Sequence, residues 1–562
     1  MKIPQFFSSL FRPTTCVCAL MLACTTYNAK ATNGTWINDS SGLWSGTANW
    51  SAGVVADGVS GTADFNTINI TADRTISLDS SRTIGNIIFG DATTPSNGWI
   101  LDNNGNSANV LTLGVSSGFP TITVNNLGSS VATITAQLAG TSGFQKNGTG
   151  TLVVTGSNIY SGATRLNAGT LRASDSTTYG ASSQTVTSGG LAGGSTTTLA
   201  SNTVLQLRAN GLNDASAQTL IFNNGLQINA SVSGYTIDVD RQGGTGTGKT
   251  IALGNGAIGS GSGTNTIFNI TGGNGYNLQL GTVTIGGGNT NGGLSLNPTT
   301  ANVTLTNVTN SGSTGSTKTL DLSGTSTGNR VTGVISNQSG TNTLGITEVS
   351  KSSTSTWTLT GTSTYTGATT VTAGTLIVGV SGSGALTGSV VSVNAGTLGG
   401  TGNIVNAVTV GDGAGTSDAF IAAGNGATGT LSTGDLSFLA DGVFQFKLNS
   451  TASTVDLLNV SGAVSINSSA QISLTDLGSS TLTQGTVFTI IANDSGDLIT
   501  GTFGNLAQGG TVTVGSNTFQ ANYLGGTGND LTLTVVPEPA TCALIGLGGM
   551  SLLLLRRRYR NS

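Results

Sequence analysis

The sequence predicts an all-β protein, a right-handed parallel β-solenoid, and three observations lead to that prediction. Gly accounts for 87 of the 562 residues, and only 7% of the residues are charged. The apolar fraction is still 36%, and Val, Ile and Thr are abundant, a composition that favours short strands and tight turns over disorder. Short patterns such as "AGTL" recur 20–22 residues apart, which is too short for a propeller blade and fits one coil of a solenoid.

Parallel stacking accounts for the low charge. Equivalent positions on neighbouring coils lie directly above one another, so like charges would repel there, whereas Ser, Thr and Asn stack without that penalty. With about 22 residues per coil and about 4.8 Å between coils, we expect at most about 23 coils and a length of roughly 110 Å.

Several kinds of chemistry are excluded by composition. The chain has no His, so Ser-His-Asp and Cys-His nucleophiles and His-ligated metals are impossible. The four cysteines lie near the two ends, at Cys16, Cys18, Cys24 and Cys542, so no disulfide framework or zinc site holds the middle. We therefore expect no cofactor, no metal site and no enzymatic activity.

Residues 1–31 have the layout of a signal peptide. Basic Lys2 and Arg12 precede the apolar run "CVCALMLAC", and Ala29 and Ala31 form a small-residue cleavage site. We expect the mature chain to begin near Thr32. A buried core helix is the alternative, but no helical periodicity lies nearby.

Residues 537–562 combine three features. The motif Pro537-Glu538-Pro539 interrupts any β-ladder, and an apolar stretch follows that is barely long enough to span a bilayer. A stop-transfer cluster ends the chain, made of Arg556, Arg557, Arg558 and Arg560. We expect a transmembrane helix with a cytoplasmic basic tail.

These three features in this order resemble the PEP-CTERM sorting signal of Gram-negative bacteria. The resemblance implies that an exosortase, a membrane cysteine protease-transpeptidase, recognises and cleaves the chain near Pro537-Glu538-Pro539. The helix would then anchor the chain in the inner membrane only transiently, before the protein reaches the outer cell surface or the extracellular space. A plain C-terminal membrane anchor is the alternative.

The exported body is weakly acidic. Without the seven basic residues of the two ends and Glu538, it has 12 basic and 22 acidic residues. Nucleic-acid binding requires a basic face, so this balance disfavours a nucleic-acid partner.

The middle of the chain contains two copies of one pattern. Lys146–Leu171 and Lys351–Leu376 are identical at 13 of 26 aligned positions. They share the Lys, a Tyr, "GAT" and "AGTL". The pattern resembles the autotransporter-associated β-strand repeat, also called the passenger-associated transport repeat, with copies at 146–173 and 351–378. The repeat implies a solenoid in an exported surface protein.

The domain boundaries follow from changes in composition. Residues 32–140 contain four of the five tryptophans and are expected to form an aromatic-containing β cap or lead-in. Residues 141–435 are expected to form the solenoid. Residues 436–536 have longer, more apolar strand patterns and are expected to form a C-terminal β-module, with a separate β-sandwich as the alternative.

Some local patterns suggest sites that the surrounding sequence does not support. "GGTGTGKT", Gly243–Thr250, fits the phosphate-binding loop, but no amphipathic helix follows, so we expect a turn between strands and no nucleotide. "GGTGNDLTL" resembles a calcium-binding nonapeptide around Asp530, but a single copy lacks the neighbouring turns that share ligands. Here too we expect a tight turn.

Two further patterns concern carbohydrates. Asp238 and Asp240 alternate on one strand face, as paired catalytic carboxylates would, and Arg241 is available to screen them. Tyr160 and Tyr365 occupy equivalent repeat positions, where they either stack on sugars or cap a coil corner, the latter being preferred.

The sequence therefore predicts an exported surface or matrix scaffold of adhesin type, with an exosortase and exopolysaccharide as partners. A carbohydrate-active β-helix enzyme, a polysaccharide lyase or hydrolase, and a carbohydrate-binding surface protein are the alternatives. An autotransporter passenger would require a C-terminal membrane barrel of alternating strands, which an apolar segment followed by arginines does not resemble.

Overall fold

The computed structural model describes residues 31–537, with gaps at 94–95, 176–182, 187–189, 193, 229–233, 260–264, 287–290, 313–314, 339–344 and 495. Ala29, Glu538, Pro539, the predicted apolar helix and the four arginines of the stop-transfer cluster lie outside the described residues. Within the part that the structure describes, no helix is both long and apolar enough to span a membrane.

The described chain consists of short strands, with two three-residue 3₁₀ turns at Thr47–Asn49 and Ser51–Gly53. The first 25 strands are β1 Gly34–Thr35, β2 Gly42–Leu43, β3 Gly58–Phe65, β4 Arg74–Ser77, β5 Arg82–Phe89, β6 Trp99–Asp102, β7 Val110–Leu113, β8 Thr121–Val124, β9 Ala132–Ile134, β10 Gln137–Ala139, β11 Phe144–Asn147, β12 Thr151–Val154, β13 Thr164–Leu166, β14 Thr170–Asp175, β15 Ser183–Thr185, β16 Thr196–Leu199, β17 Val204–Ala209, β18 Thr219–Ile221, β19 Gly225–Ile228, β20 Tyr235–Asp240, β21 Thr250–Ala252, β22 Gly256–Gly259, β23 Asn265–Gly272, β24 Asn277–Gly286 and β25 Gly292–Pro298. The next 25 are β26 Val303–Asn310, β27 Thr317–Leu322, β28 Asn329–Val331, β29 Ile346–Lys351, β30 Thr356–Leu359, β31 Thr362–Ser363, β32 Thr369–Val371, β33 Thr375–Val378, β34 Ala385–Leu386, β35 Val391–Val393, β36 Gly396–Gly400, β37 Asn403–Ile404, β38 Val408–Val410, β39 Ala419–Ala423, β40 Thr430–Thr433, β41 Leu436–Phe438, β42 Gly442–Asn449, β43 Thr454–Val455, β44 Leu457–Val460, β45 Val464–Ile466, β46 Gln471–Asp476, β47 Val487–Asn493, β48 Thr511–Val514, β49 Asn517–Gly525 and β50 Asp530–Val536.

The strands stack in three parallel ladders, so the predicted parallel β-solenoid is confirmed. Each strand pairs in register with the strand at the same place in the next coil. Ladder 1 contains β2, β4, β6, β9, β12, β14, β17, β20, β23, β25, β27, β29, β32, β35, β38, β41 and β45. Ladder 2 is built from strands such as β18, β21, β30, β33, β36, β39, β42 and β46, and ladder 3 from strands such as β8, β11, β13, β16, β19, β31, β34, β37, β40, β44 and β47.

The predicted constant coil length is wrong for most of the solenoid. Coils as short as predicted occur at the first repeat, where Leu152 pairs with Ala132 and Thr170 with Thr151. The second repeat also has short coils, since Thr369 pairs with Val349. Short steps continue after the second repeat, where Val391 pairs with Thr369 and Val408 with Val391. Most other steps in ladder 1 are longer.

An example of a longer step is the pairing of Val204 with Thr236 in ladder 1. The 17 strands of ladder 1 make 16 steps, which at about 4.8 Å each gives a length of roughly 75 Å. This length is below the upper limit of roughly 110 Å, because that limit applies the short repeat coils to the whole chain.

Strand alternation places the core inside the coils. In ladder 1, Leu205 of β17 stacks on Ile237 of β20 and then on Ile270 of β23, and all three are fully buried. Burial of each such side chain stabilises the fold by about 1.5–3 kcal/mol. The alternate residues point outwards, which is why polar and apolar residues alternate along these strands.

The aromatic residues of the N-terminal region close one end of this core. The Phe65 ring lies 5.5–5.8 Å from the rings of Trp36, Trp44, Trp50 and Trp99. The indole nitrogens donate to main-chain oxygens, for example Trp50 Nε1 to Trp44 O at 2.7 Å. The tryptophans therefore fill the first coils without leaving a buried donor unpaired.

The other end changes from parallel to antiparallel pairing. Strands β41, β42 and β44 continue the three ladders in parallel. Strand β47 pairs in parallel with β44 and antiparallel with β50, and β50, β49 and β48 then complete an antiparallel sheet. On the side of β46 that faces away from β42, the Asn505 side chain pairs with the main chain of Ile472. Its Oδ1 accepts from Ile472 N at 3.0 Å, and its Nδ2 donates to Ile472 O at 2.8 Å.

Candidate functional site

The lysine shared by the two repeats lies inside the solenoid. Lys146 and Lys351 are both fully buried. Lys146 Nζ donates to the oxygens of Asn147, Gly148 and Ala168 at 3.0, 2.8 and 3.0 Å. The first two acceptors follow the lysine in its own coil, and the third belongs to the next coil. The ammonium group therefore joins two successive coils through three hydrogen bonds to main-chain oxygens.

The second repeat reproduces this arrangement. Lys351 Nζ donates to the oxygens of Ser352, Ser353 and Ala373, the last two at 2.8 and 3.1 Å. In both copies the acceptor in the next coil is the Ala of "AGTL", 22 residues after the lysine. We call this three-carbonyl arrangement the lysine clamp.

The glycine of "AGTL" is required by the lysine clamp. Gly374 has φ of +68° and Gly169 has φ of +69°, a region that favours glycine. A Cβ at Gly374 would lie 2.4 Å from the main-chain oxygen of Ser353, a clamp acceptor, and 2.7 Å from Lys351 Nζ, and both distances are too short. The left-handed turn therefore brings the alanine carbonyl to the ammonium and leaves room for it.

Burial changes the titration of both lysines without neutralising them at neutral pH. Desolvation lowers the pKa of Lys146 and of Lys351 to about 8. The ammonium form, which has three protons for three carbonyl oxygens, is therefore the main form at pH 7. Sequence reasoning noted the shared lysine but gave it no role; its recurrence in a body with only five lysines was the available signal.

The repeat tyrosines cap a coil corner, as expected. Tyr160 and Tyr365 are 2% and 0% exposed, so neither ring is available to stack on a sugar. Each hydroxyl is hydrogen-bonded to the Thr of "GAT" four residues later, Tyr160 to Thr164 at 2.7 Å and Tyr365 to Thr369 at 2.6 Å. Burial raises the pKa of Tyr365 to about 12.

The pattern that fits a phosphate-binding loop is a turn between strands. Residues 243–249 precede strand β21 and no helix follows, so the amide cradle of a nucleotide site is missing. Lys249 is fully buried, and its Nζ donates to Asp214 Oδ1 at 2.9 Å and to Ser216 O at 2.6 Å. Hydrogen bonds from Ser216 and Lys249 lower the pKa of Asp214 to about 2. Lys249 therefore fastens one coil to the previous one.

Asp238 and Asp240 do lie on the same outward face of β20, but each is held by neighbouring coils. Asp238 forms an ion pair with Arg208 of the preceding coil and accepts from Thr271 Oγ1 of the following coil at 2.8 Å. Asp240 accepts from Asn274 Nδ2 at 2.8 Å. The cation that screens Asp238 is thus Arg208, and the expectation that adjacent Arg241 would screen the pair is wrong for this residue.

Asp530 has a structural position at the start of the last strand. It is 7% exposed and accepts from Asn493 N at 2.9 Å and from Thr527 N at 3.2 Å. The single nonapeptide-like segment is a tight turn between β49 and β50. Among the described residues, no group of three or more Cys, Asp or Glu side chains is placed to hold a metal ion.

The sorting motif begins directly after the last described strand. Pro537 directly follows β50, with no intervening loop. It borders an open groove of about 300 Å³ that Leu482, Asn517 and Val536 also line.

Two family models match this chain. The passenger-associated transport repeat matches residues 144–173 and 349–378. The PEP-CTERM protein-sorting motif matches residues 535–558. Both resemblances seen in the sequence are confirmed, and the two repeat matches contain the two lysine clamps.

Individual proteins match more weakly. A stretch of 183 residues is 36% identical to the adhesin BmaC autotransporter of Brucella suis biovar 1 (strain 1330), which covers 29% of this chain and 5% of that protein. The chain thus spans about a twentieth of the length of this relative. The Hap adhesin of Haemophilus influenzae, a crystal structure, matches over 85% of this chain and 64% of that one, with 11% identity and a TM-score of 0.25. The fold assignment accordingly depends on the strand pairings alone.

Replacement of Lys351 by Met tests the lysine clamp. The variant leaves three main-chain oxygens without a buried donor, so we expect Lys351→Met to lower the free energy of unfolding by about 1–3 kcal/mol. Hydrogen exchange followed by mass spectrometry should show faster exchange in β29, β32 and β33. The exposed Arg330→Met is the matched control and should stay within about 0.5 kcal/mol of the native protein. Equal exchange in the two variants would show that the clamp contributes nothing.

Replacement of Tyr365 by Phe tests the buried hydroxyl through pH. An unfolded Tyr ionises near pH 10, whereas folded Tyr365 keeps its proton up to about pH 12. The native protein should therefore lose about 1.4 kcal/mol of stability per pH unit from this residue as the pH rises from 10 to 12. Tyr365→Phe removes that loss. In urea unfolding, the stability of the variant relative to the native protein should therefore increase between pH 9 and pH 11. Parallel curves for the two proteins would contradict this.

Proposed function

We propose that this protein is an exported, non-enzymatic scaffold of adhesin type that is processed at its C-terminal sorting motif and released to the outer surface or the extracellular matrix. The observation that carries the proposal is the combination of a repeat-bearing β-solenoid with a PEP-CTERM match that begins at its last strand. The signal peptide at 1–31, with cleavage beside Ala29 and Ala31, and the transient inner-membrane helix remain parts of the proposal. The match to the adhesin BmaC autotransporter favours a surface role.

Processing is the first step of this function. An exosortase cysteine would attack a carbonyl carbon near Pro537-Glu538-Pro539, forming a thioester on the body while the new amine leaves, protonated, with the apolar segment and the stop-transfer arginines. Water or an amine nucleophile would then displace the sulfur and free the enzyme. The catalytic groups all belong to the protease.

The outer face of ladder 1 is suited to neutral carbohydrate. Ser350, Thr370, Ser392, Thr409 and Ser437 occupy successive register positions there, each half-exposed. We call them the hydroxyl column. Hydroxyls spaced about 4.8 Å apart offer repeated donors and acceptors without charge. This supports exopolysaccharide as the partner.

The alternative, a carbohydrate-active enzyme, has less support. Its best candidates, Asp238 and Asp240, accept structural hydrogen bonds from adjacent coils. A scaffold requires only the outward faces of the ladders.

The processing step is tested by mass and fractionation. We expect the native protein to be found outside the inner membrane with a mass that lacks Arg556, Arg557, Arg558 and Arg560. Joint replacement of Pro537, Glu538 and Pro539 by Ala should leave the full-length chain in the inner membrane, while Arg330→Ala should be processed normally. An intact basic tail on the native protein at steady state would refute processing.

The carbohydrate partner is tested by co-sedimentation with exopolysaccharide from the producing bacterium. We expect binding without release of reducing ends. Ser392→Ala with Thr409→Ala should weaken binding at least about tenfold through the loss of two hydrogen bonds. Thr304→Ala with Thr358→Ala, on ladder 2, is the matched control. Release of reducing ends or unsaturated products would favour the enzyme instead.

A further inference from the structure

The sorting signal overlaps the folded body. The PEP-CTERM match starts at Val535, whereas strand β50 extends to Val536. Two residues are therefore shared between a signal that a protease must bind and a strand that the sheet already holds.

The shared residues are held from both sides. Strand β50 lies between β47 and β49 and is therefore an inner strand of the antiparallel sheet. Val535 N donates to Thr486 O at 2.8 Å, and Gly485 N donates to Val535 O at 2.8 Å. Val536 pairs with Thr518 of β49. Val535 is only 5% exposed, so its side chain is also buried.

A protease that binds the signal needs these groups for itself. Extended peptides bind through their own main-chain N–H and C=O groups, with side chains in pockets. The main-chain groups of Val535 are already paired within the sheet, and its side chain is packed. A binding-competent end therefore exists only when the end of β50 has opened locally.

We propose that the folded C-terminal sheet restrains its own processing, so that the exosortase acts on chains in which the end of β50 is open. The inference rests on the proposed function, because it concerns the same sorting motif. Two main-chain bonds of ordinary strength, together with the buried side chain, reduce the population of the open form at least about tenfold. Cleavage is then faster before the sheet closes than after.

The restraint is tested by separating the signal from the sheet. An insertion of Gly-Ser-Gly-Ser-Gly-Ser-Val-Val between Val536 and Pro537 leaves β50 complete and gives the signal its own free Val-Val pair. The matched control carries the same inserted sequence after Gly426, in a loop whose residues 425–427 are exposed. Pulse–chase labelling in the native host measures how fast each full-length chain loses its C-terminal segment.

We expect the insertion before Pro537 to be processed at least about tenfold faster than the native chain, and the loop control to match the native rate. Leu533→Ala, which weakens the packing of β50 from a fully buried position, should also be processed faster. Equal cleavage rates in the native chain, the control and the insertion variant would overturn the restraint and leave the processing function intact. If no chain is cleaved, including the insertion variant, the proposed processing itself fails and the restraint fails with it.

Discussion

The structure depends on one constraint, the in-register stacking of parallel strands about 4.8 Å apart. Each residue in a strand lies next to its counterpart in the next coil. Like charges at equivalent positions would therefore repel each other. Some outward charges are neutralised across coils, as Arg208 and Asp238 show. Neutral hydroxyls and amides occupy most other outward positions, which accounts for a composition with only 7% charged residues.

The corners of the coils raise a second problem, since turn carbonyls that point inwards have no strand partner. An unpaired buried carbonyl is costly. In the lysine clamp, an ammonium group supplies three donors to three such oxygens and so connects one coil to the next. Both clamps lie in short coils, where a left-handed glycine at the corner makes the carbonyls converge on one point.

The fold class was predictable from the sequence because period and composition both follow from stacking. The coil length was not, because only the two repeats are similar enough to reveal a period, and they are the short coils. Loops between the ladders lengthen at little entropic cost without disturbing the strand register, so the remaining coils leave no regular spacing in the sequence. The sequence likewise showed that the two repeats share Lys146 and Lys351, but not that these lysines point inwards, since lysine is normally exposed. The partner of Asp238 was missed because it lies 30 residues away in sequence, one coil earlier.

The burial of lysine has a chemical consequence for a protein exposed to the outside of the cell. Of the five lysines in the described body, Lys146, Lys249, Lys318 and Lys351 are fully buried, and Lys447 exposes only 16% of its side chain. Reducing sugars and other aldehydes modify accessible amines. The described surface therefore exposes almost no lysine amine to these reagents. The same groups that fasten the coils are thus withheld from the chemistry that ages extracellular proteins.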